Sequence, residues 1–226
     1  MSARVEVISI GDELLTGNVL DTNSTWIGRT ISEYGFEVEK FTTIPDEKAI
    51  ILKTIANSFS ESDIVLVTGG LGSTSDDITR KCLCEFFCTE LVYNESVYSN
   101  ILRIFKDNNI NEDPELYKNQ ALVPQVCTPL LNKKGIAPIL WFERMNKVLV
   151  AFPGVPEEMK AAMESDVLPR LNSFFEKDSI IQKTILLRGV GENTIAEKIK
   201  SIEEGLPSYV RISYLPQSTF VKVRLT

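Results

Sequence analysis

The sequence predicts an α/β protein with a parallel sheet, followed by a small α+β subdomain. Over the first half of the chain, strand-like apolar runs alternate with stretches of helical periodicity, which is typical of parallel strands joined by crossover helices. Residues 63–68 hold the run Ile-Val-Leu-Val, which is apolar on both faces, as in the centre of such a sheet. After Ser179 the pattern restarts as β-α-β-β, which is too short for an independent core. We therefore predict a main domain over residues 1–172 and a subdomain over residues 179–226.

The individual elements follow from the spacing of apolar residues and from turn formers. Strands are predicted where short apolar or alternating runs stop at turn residues, at 5–10, 36–44, 63–68 and 148–152. Helices are predicted where apolar residues recur at helical spacing, at 23–34, 45–59, after Asp77, at 96–105, 114–120 and 157–171. Two shorter apolar segments lie around Leu130 and at 139–142. The subdomain pattern predicts strands at 180–187, 209–215 and 220–225 and a helix at 193–203.

Composition excludes several functional classes. The chain of 226 residues carries 24 Lys and Arg against 31 Asp and Glu, a net charge of −7, so it lacks the basic surface of a nucleic-acid-binding protein. No segment reaches the roughly 18 apolar residues of a membrane span, and no export signal precedes the first strand. We therefore expect a cytoplasmic protein with no nucleic-acid or membrane partner. Because the sequence contains 0 His, any catalysis must use carboxylates, hydroxyls, main-chain amides or a hard metal ion.

The residues with chemical potential follow three predicted strands. In an open parallel sheet, ligands bind outside the carboxyl ends of the strands. Gly11 and Asp12 follow the first strand, Asp46 follows the second, and the segment from Thr68 to Thr79 follows the third. In that segment Gly69-Gly70-Leu71-Gly72 precedes a helix, where free main-chain N–H groups can bind phosphate. The spacing is that of neither a P-loop nor a dinucleotide fingerprint, and a turn without a ligand is the simpler alternative.

The acids beside this glycine-rich turn can be explained in two ways. Asp76 and Asp77 can cap the following helix and interact with its dipole. Alternatively, Asp12, Asp46 and Asp77 can share a divalent cation with phosphate oxygens, since such ions take one or two carboxylates together with phosphate.

Longer motifs make the sequence similar to a known family. The segments Gly11-Asp12-Glu13-Leu14, Asp21-Thr22-Asn23 and the run from Gly69 to Thr79 resemble the molybdopterin-binding-like superfamily. Residues 132–138 (NKKGIAP) and 152–159 (FPGVPEEM) resemble the CinA (competence/damage-inducible protein A) family within it. The resemblance implies a three-layer α/β domain with a small α+β domain, and a homodimer. It also implies metal-dependent hydrolysis of the diphosphate of ADP-ribose. The amidohydrolase found in longer CinA proteins is not expected of this chain.

The resemblance also implies a set of site residues. Asp46 and Asp77 match the family's two important acids and are the expected catalytic acids and ligands of Mg²⁺, Mn²⁺ or Co²⁺, and the residue pattern adds Asp12 to the catalytic acids. The expected contacts to a small-molecule nucleotide diphosphate are Gly11, Thr22, Asn23, Thr68, Gly69, Gly70, Gly72, Ser73, Thr74, Asp76, Thr79, Asn132, Gly135, Ala137, Pro138, Pro153 and Gly154.

Three departures from the family pattern keep other functions open. Ser73 stands where the family has Pro, and Ile136 and Ile139 replace Thr and Gly, so that Ile139 is expected to narrow the ligand site. One alternative is a module that binds a nucleotide or pterin phosphate without turning it over. Another is an enzyme similar to a molybdopterin adenylyltransferase.

Overall fold

The computed structural model describes residues 3–72, 74, 77–175, 183–217 and 219–226. The chain forms two compact units, Met1–Glu176 and Lys177–Thr226. In the first unit the elements are β1 (Arg4–Ile10), α1 (Asp12–Leu15), α2 (Thr22–Glu33), β2 (Glu37–Ile44), α3 (Lys48–Glu61), β3 (Ile64–Thr68), α4 (Thr79–Phe87), β4 (Leu91–Tyr93), α5 (Glu95–Asp107), a 3₁₀ helix (Pro114–Ala121), β5 (Leu122–Pro124), β6 (Thr128–Leu130), β7 (Ile139–Arg144), β8 (Lys147–Phe152), α6 (Pro156–Ala162), a π-helical turn (Met163–Val167) and α7 (Leu168–Phe174). None of the helices in the described residues is long and apolar enough to cross a membrane.

The first unit is a three-layer α/β structure, as predicted. Its central sheet has six strands in the order β2-β1-β3-β8-β7-β6. All five residues of β3 are buried, and they alternate between two cores. Val65 and Val67 pack on the side of α3, α4 and α5, whereas Ile64 and Leu66 pack on the side of α2, α6 and α7. The two-sided burial explains why the first four residues of this strand are all apolar.

The sheet is mixed rather than wholly parallel, which corrects the prediction in part. Strands β2, β1, β3 and β8 run parallel, while β7 is antiparallel to β8 and β6 is antiparallel to β7. The physical cause is a tight hairpin between β7 and β8, in which Arg144 pairs with Lys147. The two residues between them, Met145 and Asn146, have φ of 54° and 58°, as a type I′ hairpin turn requires.

Several short elements differ from the predictions. The short pair β4–β5 and the helix α1 were not predicted, and residues 114–121 form a 3₁₀ helix. Such three- and four-residue elements give too little periodicity to be recognised from sequence.

The order of the strands places a crevice between β1 and β3. The chain passes from β1 to β2 on one side, and then to β3 on the other side of β1. This reversal is a topological switch point, and the loops at the carboxyl ends of the two strands diverge there. The loop between β6 and β7 lies at the same edge, because Leu130 pairs with Ile139 and Leu140 pairs with Ala151 near the end of β8.

The second unit is a small α+β structure. Its elements are β9 (Lys183–Arg188), α8 (Glu192–Glu204), β10 (Ile212–Pro216) and β11 (Phe220–Leu225), and its antiparallel sheet has the order β10-β11-β9. Ile195 of α8 packs with Val221 and Val223 of β11 to form a minimal core. The predicted strand at 180–187 is described only from Lys183 onward, since residues 176–182 lie outside the described part of the chain.

Candidate functional site

A cleft of about 380 Å³ opens at the carboxyl edge of the first unit's sheet. The strands end in register there, with Ile10 beside Ile44, and Thr68 beside Phe152. The following segments therefore converge on one space. The cleft is lined by Gly11, Glu13, Asp46, Gly69, Gly70, Leu71, Gly72, Asp77, Gln120, Ile136, Ala137, Pro153, Gly154, Val155 and Glu158.

The glycine loop (residues 69–72) forms one wall and fits its surroundings so closely that side chains are excluded. Gly69 has φ +106°, and a Cβ there would lie 2.1 Å from the carbonyl oxygen of Ile10. Gly70 has φ +66°, and its Cβ would lie 2.1 Å from Oγ1 of Thr79. Glycine adopts such positive-φ conformations readily. Gly69 therefore packs directly against Ile10 at the end of β1, beside the switch point.

The main-chain groups of this wall are only partly hydrogen-bonded within the described residues. The N–H of Gly69 donates to Phe152 O at 3.1 Å, and the carbonyl of Gly70 accepts from Thr79 N at 3.2 Å. Within the described residues, the N–H groups of Gly70 and Gly72 donate to no protein acceptor. Unpaired main-chain N–H groups in a glycine-rich turn favour an anion nearby.

Two carboxylates flank the glycine loop. A Cβ on Gly70 would lie 3.5 Å from Oδ1 of Asp46, and one on Gly72 would lie 2.4 Å from Oδ2 of Asp77. Oδ2 of Asp77 accepts from the N and Oγ1 of Thr74 at 3.0 and 2.5 Å, which fixes its orientation. The structure therefore brings these two predicted acids to one cleft.

Asp12 has a different position from the other two acids. Its N–H donates to Oδ2 of Asp46 at 3.3 Å, and the N–H of Asp46 donates to Oδ1 of Asp12 at 3.3 Å. Asp12 is exposed and does not line the cleft. It supports the acid that follows β2 instead of facing the glycine loop.

The available donors fit a hard divalent cation that is shared with a ligand. No group of three or more His, Cys, Asp or Glu side chains could hold an ion among residues 3–72, 74, 77–175, 183–217 and 219–226. Asp46 and Asp77 nevertheless bring carboxylate oxygens to the cleft. Mg²⁺ is bound in this way, through one or two carboxylates plus substrate phosphates and water.

A buried arginine, Arg80, donates a hydrogen bond to the glycine loop, and this contact was not predicted from the sequence. Arg80 is 8% exposed. Its guanidinium donates to the carbonyls of Leu71, Asn119 and Leu122 at 2.8–3.0 Å and to Oε1 of Gln120 at 2.5 Å. Burial lowers the pKa of Arg80, and the nearby Asp77 opposes that shift. A charge in the first turn of a helix suggests an exposed residue, so no sequence signal pointed to this contact.

The asparagine loop (residues 132–138) forms the opposite wall and is held by a buried side chain. Asn132 is 1% exposed. Its Oδ1 accepts from the N–H groups of Lys134 and Gly135, and its Nδ2 donates to Ala137 O at 2.9 Å and to Oε2 of Glu158 at 2.7 Å. Burial raises the pKa of Glu158, while the hydrogen bond from Asn132 lowers it. This wall thus carries one partly desolvated carboxylate.

A second buried asparagine ties the loop after β8 to β3. Nδ2 of Asn23 donates to Gly154 O at 2.8 Å and to Oγ1 of Thr68 at 3.0 Å. Oδ1 of Asn23 and Oγ1 of Thr79 are buried and lack a protein partner in the described part of the chain. Thr79 is the more informative of the two, because its hydroxyl lies directly behind Gly70.

The predicted site residues fall into three groups. Those lining the cleft are Gly11, Asp46, Gly69, Gly70, Gly72, Asp77, Ala137, Pro153 and Gly154. Those buried behind its walls are Asn23, Thr68, Thr79, Asn132, Gly135 and Pro138. Those exposed outside it are Asp12, Thr22 and Thr74, while Ser73 and Asp76 lie outside the described residues.

Some cleft residues were not predicted, and one expectation is wrong. The unpredicted members are Glu13, Leu71, Gln120, Ile136, Val155 and Glu158. Ile139 does not narrow the cleft, because its side chain is fully buried in the core beside Trp141 and Val150. It belongs to β7, whereas Ile136 of the asparagine loop lines the cleft.

The comparisons with known proteins agree with this architecture. Residues 6–173 match the family model described as "Probable molybdopterin binding domain". Two CinA-like proteins, from Flavobacterium psychrophilum and Cytophaga hutchinsonii, are each 40% identical over 223 residues, covering 99% and 98% of this chain and 53% of each relative. The chain thus spans about half the length of the curated relatives it matches.

Two solved structures are similar to the main domain. The CinA protein of unknown function from Thermoplasma acidophilum is 30% identical, with a TM-score of 0.65 over 74% of this chain and 98% of that chain. The molybdopterin biosynthesis enzyme MoaB from Thermus thermophilus is 20% identical, with a TM-score of 0.51 over 76% of this chain and 92% of that chain, and shares the fold. The chain therefore belongs to the molybdopterin-binding domain family and, within it, to the CinA-like proteins.

Proposed function

We propose that this chain is a divalent-metal-dependent hydrolase that cleaves the diphosphate of a nucleotide such as ADP-ribose. The observation that carries the proposal is the position of Asp46 beside Gly70 and of Asp77 beside Gly72, all four of which line one cleft. Carboxylates beside a site for anions would repel a phosphate by themselves. A cation shared between the acids and the phosphates removes that repulsion.

The glycine loop binds the diphosphate in this proposal. The N–H groups of Gly70 and Gly72 donate to phosphate oxygens, and the absence of side chains lets the ligand approach the backbone. Because these donors are fixed before the ligand arrives, they stabilise charge that develops on the phosphate during cleavage. The Thr79 hydroxyl, buried without a protein partner in the described region, is available to a water or ligand oxygen near Gly70.

The acids have separate tasks. Asp46 and Asp77 hold the cation, and Asp12 orients Asp46 through their reciprocal hydrogen bonds. When bound, Mg²⁺, Mn²⁺ or Co²⁺ supplies charge neutralisation and lowers the pKa of a coordinated water. Thr74 holds the Asp77 carboxylate in place through two hydrogen bonds.

A pterin phosphate is the second candidate ligand. The description of the matching family model favours it, since that model is named for molybdopterin binding. The same amides and acids can bind a phosphorylated pterin, either without turnover or for transfer of an adenylyl group. Formation of an adenylylated pterin from molybdopterin and ATP would identify the latter reaction.

The decisive experiment uses the D77N variant. The purified chain is incubated with ADP-ribose and Mg²⁺, Mn²⁺ or Co²⁺, and release of AMP is followed by chromatography. We expect D77N to lower turnover by at least about 100-fold, because the amide lacks the charge that holds the cation. Folding should be retained, since the Asn side chain can still accept from Thr74.

A matched control comes from an acid outside the site. Asp107 ends α5, is exposed and lines no part of the cleft, so D107N should keep full turnover. Undiminished metal-dependent turnover in D77N would contradict the proposed role. Tight binding of ADP-ribose by the wild-type chain with no AMP release would favour a binding module.

A further inference from the structure

Glu158 lines the cleft beside the asparagine loop. It is in the first turn of α6, is half-buried and lines the same cleft as Asp46 and Asp77. The lining of this cleft also includes the apolar residues Ile136, Ala137 and Val155. Neither the proposed hydrolysis nor the family motifs assign it a task.

The position of this carboxylate is fixed by the asparagine loop. Oε2 accepts from Nδ2 of Asn132 at 2.7 Å, and Asn132 itself is held at both ends by the loop backbone. A Cβ on Gly135 would lie 2.3 Å from Cδ of Glu158, so the carboxylate rests directly against the main chain of that glycine. Glu158 is therefore preorganised before any ligand arrives.

No cation neutralises Glu158 in the described part of the chain. The neighbouring Lys133 pairs with Asp166 at 3.1 Å instead. A carboxylate has room for about four hydrogen bonds, and Asn132 supplies one to Glu158. A partly desolvated carboxylate that can accept further hydrogen bonds is stabilised by an additional donor.

The chemistry of the cleft restricts what that donor can be. A phosphate group beside Glu158 would meet like charge. At the glycine loop the cation proposed between Asp46 and Asp77 offsets that repulsion, so the diphosphate belongs there. The group that faces Glu158 must be neutral and must donate a hydrogen bond. In a nucleotide diphosphate, the sugar hydroxyls are the neutral donors closest to the phosphates.

We infer that Glu158 is a specificity-determining residue that accepts a hydrogen bond from a sugar hydroxyl of the bound nucleotide. The inference rests on the proposed function in one respect, namely that the ligand is a nucleotide diphosphate. It adds that one wall of the cleft binds a hydroxyl-bearing sugar and the other wall binds the diphosphate. The same contact makes a bare diphosphate a poorer ligand than a nucleotide.

The test combines protein variants with ligand variants. In the presence of Mg²⁺, calorimetric affinities are measured for ADP-ribose, ADP, 2′,3′-dideoxy-ADP and pyrophosphate, with the wild type, E158Q and E158A, and titrated samples are checked for AMP. If Glu158 contacts the terminal ribose, the preference for ADP-ribose over ADP falls about tenfold in the variants. If it contacts the adenosine ribose, the preference for ADP over dideoxy-ADP falls by that factor. Pyrophosphate affinity should stay constant or rise, because a negative charge is lost.

The neighbouring Glu157 supplies the matched control. It precedes Glu158 in the same turn, is exposed and does not line the cleft, so E157Q changes the same charge and should keep both preferences. A role in holding the asparagine loop alone would alter the melting temperature without changing either preference. Unchanged preferences in E158Q and E158A would overturn this inference while leaving the proposed hydrolysis intact. If the wild type binds none of the nucleotides, the proposed function fails and the inference fails with it.

Discussion

The two walls of the cleft are held in place by different forces. The glycine loop is positioned largely by steric fit, with Gly69 against the Ile10 carbonyl and Gly70 against the Thr79 side chain, and Arg80 adds a hydrogen bond to Leu71. The asparagine loop is positioned by hydrogen bonds, which converge on both ends of the Asn132 side chain. In the described part of the glycine loop, the N–H groups of Gly70 and Gly72 are unpaired. In the asparagine loop, the N–H groups of Lys134 and Gly135 donate to Asn132.

This difference explains how the cleft can be rigid and still offer unpaired hydrogen-bonding groups to a ligand. The glycine loop uses the N–H of Gly69 in a hydrogen bond to Phe152, and close packing fixes Gly69 and Gly70. The N–H groups of Gly70 and Gly72 therefore remain available to an anion. A loop that is fixed by an internal side chain has little capacity left for ligands in its backbone. Its contribution to binding comes instead from the side chain that it orients, Glu158. Substitutions in the two walls should therefore lower the free energy of unfolding for different reasons.

The largest effect is expected from G69A. The added Cβ would lie 2.1 Å from Ile10 O, and both groups belong to the backbone at the switch point, so neither can move without separating β1 and β3. The residue must also keep φ +106°. We expect a loss of roughly 3 kcal/mol in the free energy of unfolding, measured by urea denaturation.

Gly154 provides the comparison for that substitution in the same cleft. A Cβ on Gly154 would meet its nearest neighbour, Cα of Gly69, at 3.7 Å, which is ordinary contact. G154A should therefore cost less than about 1 kcal/mol. Equal losses for G69A and G154A would show that steric fit does not hold the glycine loop.

N132A should have an intermediate effect through lost hydrogen bonds. The N–H of buried Gly135 loses its acceptor, and the carbonyl of Ala137 loses its donor. Unsatisfied buried groups of this kind should cost roughly 2 kcal/mol of unfolding free energy in denaturant titrations. K133A, which removes only an exposed ion pair with Asp166, should cost less than about 1 kcal/mol. Wild-type stability in N132A would refute this account of the asparagine loop.

The glycine wall was the more predictable of the two from sequence. A buried strand, a run of glycines and a helix start form a local pattern, and the carboxyl ends of parallel strands share an edge. From the sequence alone, these two features predict that Gly69, Gly70, Asp46 and Asp77 lie together at one edge of the sheet. They could not reveal Arg80, because the carbonyls that this residue binds at 119 and 122 are distant in sequence.

The opposite wall depends on pairings that no local pattern encodes. Glu158 contacts Asn132 across 26 positions, and its place in a first helical turn is explained equally well by the helix dipole. The reversal of β7 likewise depends on two positive-φ residues, Met145 and Asn146, which do not form a usual hairpin pair such as Asn-Gly. The position of Ile139 in the core follows from that reversal.

The smallest predicted effect is a pH dependence that arises from the asparagine wall. Burial raises the pKa of Glu158 above its usual value of 4.5. A raised carboxyl pKa in the folded state contributes stability that is fully present below the unfolded pKa and is lost as pH rises through the folded pKa. E158Q cannot ionise and can still accept from Asn132, so it should escape this loss. The denaturation midpoint of E158Q relative to wild type should therefore increase between pH 4 and pH 7. A difference that stays constant or reverses would mean that the carboxylate is solvated in the folded protein. The asparagine wall would then not hold Glu158 ready for a ligand donor.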